Sequence, residues 1–231
     1  MSAAAETVFL FDVDNTLLDN DRFQDDLKGE LTRAHGESAC GRYWQIFEEL
    51  RGELGYADYL GALERLRIER LHDPMLLPTA NWIIDYPFAD RLFPDALKVV
   101  EHVRQWGTPV ILSDGDAVFQ PRKIARSGLW DVFKGNVLIY VHKEHELDDV
   151  ERRYPAEHYV LVDDKIRILS AVKKAWGSRV TTVFPRQGHY ALDAAEVGKY
   201  PPADVTLERI GDLLVHDRQG LLAAARPSTD T

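Results

Sequence analysis

The chain opens with a short block of apolar and aromatic positions, Val8-Phe9-Leu10-Phe11, that stops at polar residues. A run of this length, closed by Asp12, Asp14 and Asn15, predicts a buried strand. Past Leu18 the period changes. Phe23, Leu27 and Leu31 recur every fourth residue, Tyr43, Phe47, Leu50 and Leu54 make a second stripe, and Leu60, Leu63 and Leu66 a third. These spacings place each set on one face of a helix. Gly36, Gly55 and Pro74 punctuate the segments, so a small helical bundle is expected between Asn20 and Asp90.

From Leu92 onward, helix and strand alternate. Pro94 and Gly107 suit the ends of a helix carrying Ala96, Val99, Val103 and Trp106. Strands are expected at Pro109–Leu112, Val137–Val141, Tyr159–Val162, Val180–Phe184 and Asp204–Leu207. Pro121 and Gly128 bracket one intervening helix; Ile166, Leu169, Val172 and Trp176, closed by Gly177, mark another. Such alternation predicts an α/β fold, a doubly wound, mostly parallel, Rossmann-like sheet with helices on both faces. Residues 1–19 and 91–231 would form this core, residues 20–90 an inserted helical cap domain, and residues 226–231 a frayed tail.

Composition narrows the function. A chain of 231 residues holds one large domain, or one domain with an insert. A net charge of −10 argues against non-specific binding to nucleic acid or an anionic membrane, so an anionic substrate needs local cations or a metal. Cys40 is the only cysteine, which excludes a disulfide framework and a thiolate metal cluster. With no basic start, apolar signal core or long apolar run, the expectation is a soluble cytoplasmic protein, monomer or homodimer.

The polar clusters follow the strands: Asp12 and Asp14, then Ser113-Asp114-Gly115, then Lys143, then Asp163-Asp164. In a parallel sheet these positions share one edge, where ligands bind. Asp12 and Asp14, two apart, can face the same crevice, and two buried like charges call for a compensating partner, most simply a divalent metal ion. Each cluster also has an ordinary explanation. Ser113-Asp114-Gly115 is a good turn, a lone lysine is usually solvated, and Asp163-Asp164 suits a helix N-cap. Lys123 competes with Lys143, but sits inside a predicted helix rather than after a strand.

In order, the four clusters resemble the four motifs of the haloacid dehalogenase-like superfamily, and Asp12, Asp14 and Thr16 resemble the Asp-x-Asp-x-Thr of its phosphatases. The resemblance implies a Mg²⁺-dependent phosphatase acting on a small phosphorylated metabolite. Asp12 would be nucleophile and metal ligand, and Asp14 the acid–base, also offering its backbone carbonyl to the metal. Asp164 would ligate directly, with Asp163 as a further or alternative ligand. Lys143, the Ser113 hydroxyl and the Asp114 backbone N–H would hold the phosphate. The helical insert matches the family's C1-type cap, from which Lys28, Arg33, Arg42 and Trp44 are candidate substrate contacts, with Gln187-Gly188-His189-Tyr190 near the rim. Glu144 stands where many relatives have proline. A phosphomutase or other phosphotransferase, a haloacid dehalogenase and a non-catalytic binding protein are the alternatives. Asp14 weighs against the dehalogenase, whose relatives lack the second aspartate.

Overall fold

The computed structural model describes residues 5–225, which leaves the expected tail at 226–231 outside the described residues. Six parallel strands form one sheet: β1 (Ala5–Phe11), β2 (Thr108–Asp114), β3 (Val137–Tyr140), β4 (Ala156–Val162), β5 (Val180–Pro185) and β6 (Val205–Leu207). Their order across the sheet is β3-β2-β1-β4-β5-β6. This is a Rossmann-like order, reversing direction between β1 and β4, where such sheets open a crevice at their carboxyl ends. Leu10 pairs with Val110 on one side and Leu161 on the other, so β1 is central.

Alternation along the strands builds two cores. Phe9, Phe11, Val160 and Val162 face one side with Ile111; Val8, Leu10, Tyr159 and Leu161 face the other with Leu112. Because both faces are covered, the strands read as unbroken apolar runs. β4 begins three residues before the expected Tyr159, since Glu157 and His158 precede the fully buried stretch.

After β1 the chain first forms four helices of the insert: α1 (Asn20–His35), α2 (Glu37–Leu54), α3 (Tyr59–Glu69) and α4 (Leu76–Asp85). The expected stripes are buried there, with Phe23, Leu27, Leu31, Tyr43, Phe47 and Leu66 inside. Asp19 caps α1 by accepting from the Arg22 N–H at 2.9 Å. The remaining helices used below are α5 (Ala96–Arg104), α6 (Phe119–Arg126), α7 (Leu129–Val132), α8 (Leu147–Arg153), α9 (Ile166–Trp176) and α10 (Gly188–Leu192). Val99 of α5 and Ile124 of α6 join the Phe9 side of the core; Val150 of α8 and Leu169 of α9 join the Leu10 side. Trp106 lies beyond the end of α5 and packs its ring 6.3 Å from that of Phe9. Pro121 falls within the first turn of α6, where its missing N–H breaks no helical hydrogen bond. Among the described residues no helix is long and apolar enough to cross a membrane.

Candidate active site

The first acidic cluster is held by continuation of the sheet. The Asp12 N–H donates to Val162 O at 2.9 Å, so its side chain stands over the crevice between β1 and β4. The chain then turns sharply. Val13 O accepts from Leu17 and Leu18 N–H at 2.9 and 3.0 Å, with Asn15 left-handed at φ 59°. Asn15 Oδ1 accepts from the Asn20 and Asp21 N–H groups at 3.0 and 3.1 Å, which ties the turn to the start of α1. Thr16 Oγ1 accepts from the Asp164 N–H at 3.1 Å and locks this loop to the turn after β4.

Lys143, fully buried, sits at the centre. Its ammonium lies 2.6 Å from Asp12 Oδ1 and 2.6 Å from Asp163 Oδ2, and donates to Leu112 O at 3.2 Å. Burial works to lower its pKa, but the Asp12 and Asp163 charges outweigh it and hold it well above the ordinary lysine value. One carboxylate oxygen from each of Asp12, Asp163 and Asp164 lies within 4.8 Å of the others. Asp163 is engaged twice, by Lys143 and by the Lys165 N–H at 2.8 Å. Asp12 Oδ2 and both oxygens of Asp164 have no hydrogen-bond partner among the described residues. Burial raises Asp163 against the pull of Lys143, and raises Asp164 well above its ordinary value against the pull of Lys165. These hard, unpaired oxygens are the donor set a divalent cation takes, and such a cation would relieve the charge.

Asp14 does not join this group of ligand atoms. Its two oxygens face the Lys123 ammonium at 2.7 and 2.9 Å, and Oδ2 also accepts from Gln120 Nε2 at 3.3 Å. Gln120 donates as well to Ser113 Oγ at 3.0 Å. The two lysines therefore divide the two carboxylates between them. The Asp114 carboxylate turns toward the Lys143 loop, accepting from the Lys143 N–H at 2.8 Å, and burial raises its pKa despite the nearby Lys143 charge. Gln120 escaped the sequence reading, although its i, i+3 spacing from Lys123 on α6 puts both on one face.

Asp14, Asp114, Asp164 and Lys165 form the strand-side wall of a cavity of about 370 Å³, which Asp12, Ser113, Lys143 and Asp163 do not line. From the insert come Gln24, Phe47, Arg51, Tyr56 and Tyr59. None of Lys28, Arg33, Arg42 and Trp44 lines it. Arg42 pairs with Glu69 at 2.7 Å and Arg33 with Glu30 at 2.6 Å on the outer surface, while Trp44 packs edge-on against Phe47. The segment after β5 does reach the rim. His189 Nδ1 lies 2.6 Å from Asp21 Oδ1 and its N–H donates to Asp21 Oδ2 at 2.8 Å, while Arg51 donates to the Tyr190 hydroxyl. Burial works to raise Asp21, but the hydrogen bonds from His189 and Asn15 hold it below the usual carboxylate value. Gln187 is buried beneath the motif loop and donates to Thr16 O at 3.2 Å.

The fold and this site together place the chain in a family. The model of the haloacid dehalogenase-like hydrolases matches residues 7–175, and the chain belongs to that family. A haloacid dehalogenase-like hydrolase from Burkholderia xenovorans LB400 is 62% identical, with a TM-score of 0.87 over 92% of this chain and 99% of that one. An L-2-haloacid dehalogenase from Xanthobacter autotrophicus, with chloropropionic acid covalently bound, is 20% identical, TM-score 0.60, covering 90% of this chain and 97% of its own. The HAD-hydrolase YfnB of Bacillus subtilis, bound to magnesium, is 16% identical, TM-score 0.60, covering 91% and 99%. At such identities the last two share the fold alone. No curated protein matches the chain.

Proposed function

We propose that this hydrolase is a Mg²⁺-dependent phosphatase that cleaves a small phosphate monoester through an aspartyl-phosphate. One observation carries the reading: Asp12, Asp163 and Asp164 are buried together, and the oxygens of Asp164 have no hydrogen-bond partner among the described residues. An aspartate that attacks carbon needs no such concentration of charge, whereas attack on a phosphate dianion needs a cation beside the nucleophile. Asp12 and Asp164 would hold Mg²⁺, with Asp163 behind them and the Asp14 carbonyl as a further ligand. When bound, the ion supplies positive charge that offsets repulsion between carboxylate and phosphate.

A carboxylate oxygen of Asp12 forms the bond to phosphorus while the ester P–O bond breaks, and the leaving oxygen takes a proton from Asp14. Water then attacks phosphorus and gives a proton to Asp14, which releases phosphate and restores Asp12. Lys143 neutralises Asp12 Oδ1 and holds the transferring group together with the Ser113 hydroxyl and the Asp114 N–H. Residues 20–90 act as a cap domain over the core and meet the leaving group. The cavity suits a small ester rather than a polymer, since about 370 Å³ lies at the low end of ligand sites.

The test is a panel of phosphorylated metabolites with Mg²⁺, repeated in EDTA, with halide release from 2-chloropropionate alongside. Phosphate release that stops in EDTA and returns with Mg²⁺ is the expected result. Halide release without phosphate release would make the protein a dehalogenase. Transfer to an added acceptor alcohol in place of water would make it a phosphotransferase.

A further inference from the structure

Lys123 is fully buried, and no step above uses it. Its ammonium has three N–H groups, and acceptors stand ready for them: Asp14 Oδ1 at 2.7 Å, Asp14 Oδ2 at 2.9 Å and Asn20 Oδ1 at 3.0 Å. Around it stand the rings of Phe119, Phe88, Tyr59 and Phe23, with centroids 5.2, 5.8, 5.8 and 5.9 Å away. Negative ring faces suit an ammonium buried away from solvent.

Two parts of the chain build this enclosure. Lys123 and Phe119 belong to α6, whereas Asn20 and Phe23 belong to α1 and Tyr59 to α3. Asn20 donates in turn to the Tyr59 hydroxyl at 3.2 Å. Contacts therefore run from the helical insert to Lys123 and from Lys123 to Asp14. Asp14 itself borders the cavity, so the pair lies at the edge of the site rather than deep in the core. Gln120 grips the same carboxylate from a second direction.

We propose that Lys123 is the positioning residue of Asp14: it fixes the orientation of the acid–base carboxylate, and it can do so only while α1 and α3 are packed against α6. The inference rests on the phosphatase reading. Docking of the insert thereby sets the geometry of proton transfer, while the attack by Asp12 on phosphorus is served separately by Lys143. A lysine that merely stabilised the fold would lower activity through loss of folded protein. One that held the phosphate would raise KM.

A double-mutant cycle on p-nitrophenyl phosphate separates these roles, because it reads whether Lys123 acts through Asp14. Lys123→Met keeps the length and fits among the rings. Its kcat is expected to fall about tenfold to a hundredfold with a burst of nitrophenolate before slow turnover, and KM should fall with kcat rather than rise, because the slowed step follows nitrophenolate release. In an Asp14→Asn background the same change should cost nothing further. Asn20→Ala, which removes one contact from the insert and leaves the charge in place, should show a smaller loss that also disappears in that background. It keeps the cycle informative should Lys123→Met fold poorly. Equal losses in both backgrounds, or a rise in KM matching the loss, overturn the inference. Absence of phosphate release by the wild type overturns the proposed function, and this inference with it; release by the wild type with additive losses overturns the inference alone.

Discussion

At the scale of single residues, the site assigns different work to side chains of the same type. In the proposed mechanism Asp12 is the nucleophile; its Oδ1 lies 2.6 Å from the Lys143 ammonium, and its buried Oδ2 has no hydrogen-bond partner among the described residues. Asp12→Asn should therefore stop the reaction before any leaving group departs. Nitrophenolate leaves readily without a proton, so Asp14→Asn should slow hydrolysis of the phosphoenzyme more than its formation. Rapid mixing should show a burst approaching one equivalent, and acid quench should trap the phosphoprotein. Turnover retained by Asp12→Asn would reverse the two roles. Lys143→Ala, which frees Asp12 and Asp163 from their shared cation, should cost about a hundredfold or more in kcat/KM, measured on the same ester. Asp164 gives a prediction for stability. A carboxyl whose native pKa lies above its unfolded value favours the native state at low pH, and that advantage is lost as pH rises through the native pKa. Burial raises Asp164 in this way. In EDTA at pH 8, Asp164→Asn should thus be more stable than wild type, by about 1–3 kcal/mol in urea unfolding, and the gap should close as pH is lowered. With Mg²⁺ present the order should reverse. A gap that widens on acidification would contradict the buried, unpaired carboxylate.

At the scale of elements, short turns carry the precision. Gly188 opens α10 at φ +70°, and a Cβ there would stand 2.5 Å from the Asn15 side chain. Asn15 lies in the loop after β1 and accepts from the Asn20 N–H at the start of α1, so this glycine sets how closely the segment after β5 approaches that loop. Gly188→Ala meets both a left-handed backbone and a collision. It should destabilise by about 2 kcal/mol and lower kcat on every ester tested, because the disturbance lies beside Asp14 rather than at the leaving group. Urea unfolding and kinetics check this; unchanged stability would mean that Asn15 moves aside at no cost. Gly55 plays a like part at the end of α2, where a Cβ would stand 2.4 Å from the His142 ring, next to Lys143.

At the scale of the whole molecule, the helices between β1 and β2 and the segment after β5 meet across the cavity through Asp21 with His189 and Arg51 with Tyr190. Arg51 belongs to α2 and its cavity-facing neighbours include Phe47, Tyr56 and Tyr59, well away from Asp12 in sequence. A cap that meets the leaving group should alter substrate preference rather than phosphoryl chemistry. Arg51→Ala is expected to change relative kcat/KM among metabolite esters by about tenfold or more while altering p-nitrophenyl phosphate by less than about threefold. Equal losses on all esters would instead make closure of the cap the common requirement.

Much of this protein was legible in its sequence because local patterns report burial. The short apolar runs around Phe9, Val110 and Val160 had one low-energy outcome, strands covered on both faces, and the stripe Phe23, Leu27, Leu31 likewise belonged to a buried helix face. Alternation of the two implied the parallel sheet, and hence that Asp12, Ser113, Lys143 and Asp164 would share one edge. Pairing between side chains far apart in the chain was decided by the tertiary structure. Lys123, set aside for lying within a helix, reaches Asp14 because α6 packs beside the turn after β1. Arg33 and Arg42, chosen for their charge, face outward to Glu30 and Glu69, whereas Arg51 on the same helix as Arg42 faces the cavity. A helical stripe specifies which face is buried, but a charged residue beside that face has no apolar signal to direct it. Its partner is chosen by the docking of one element on another, and that contact is absent from any local stretch of sequence.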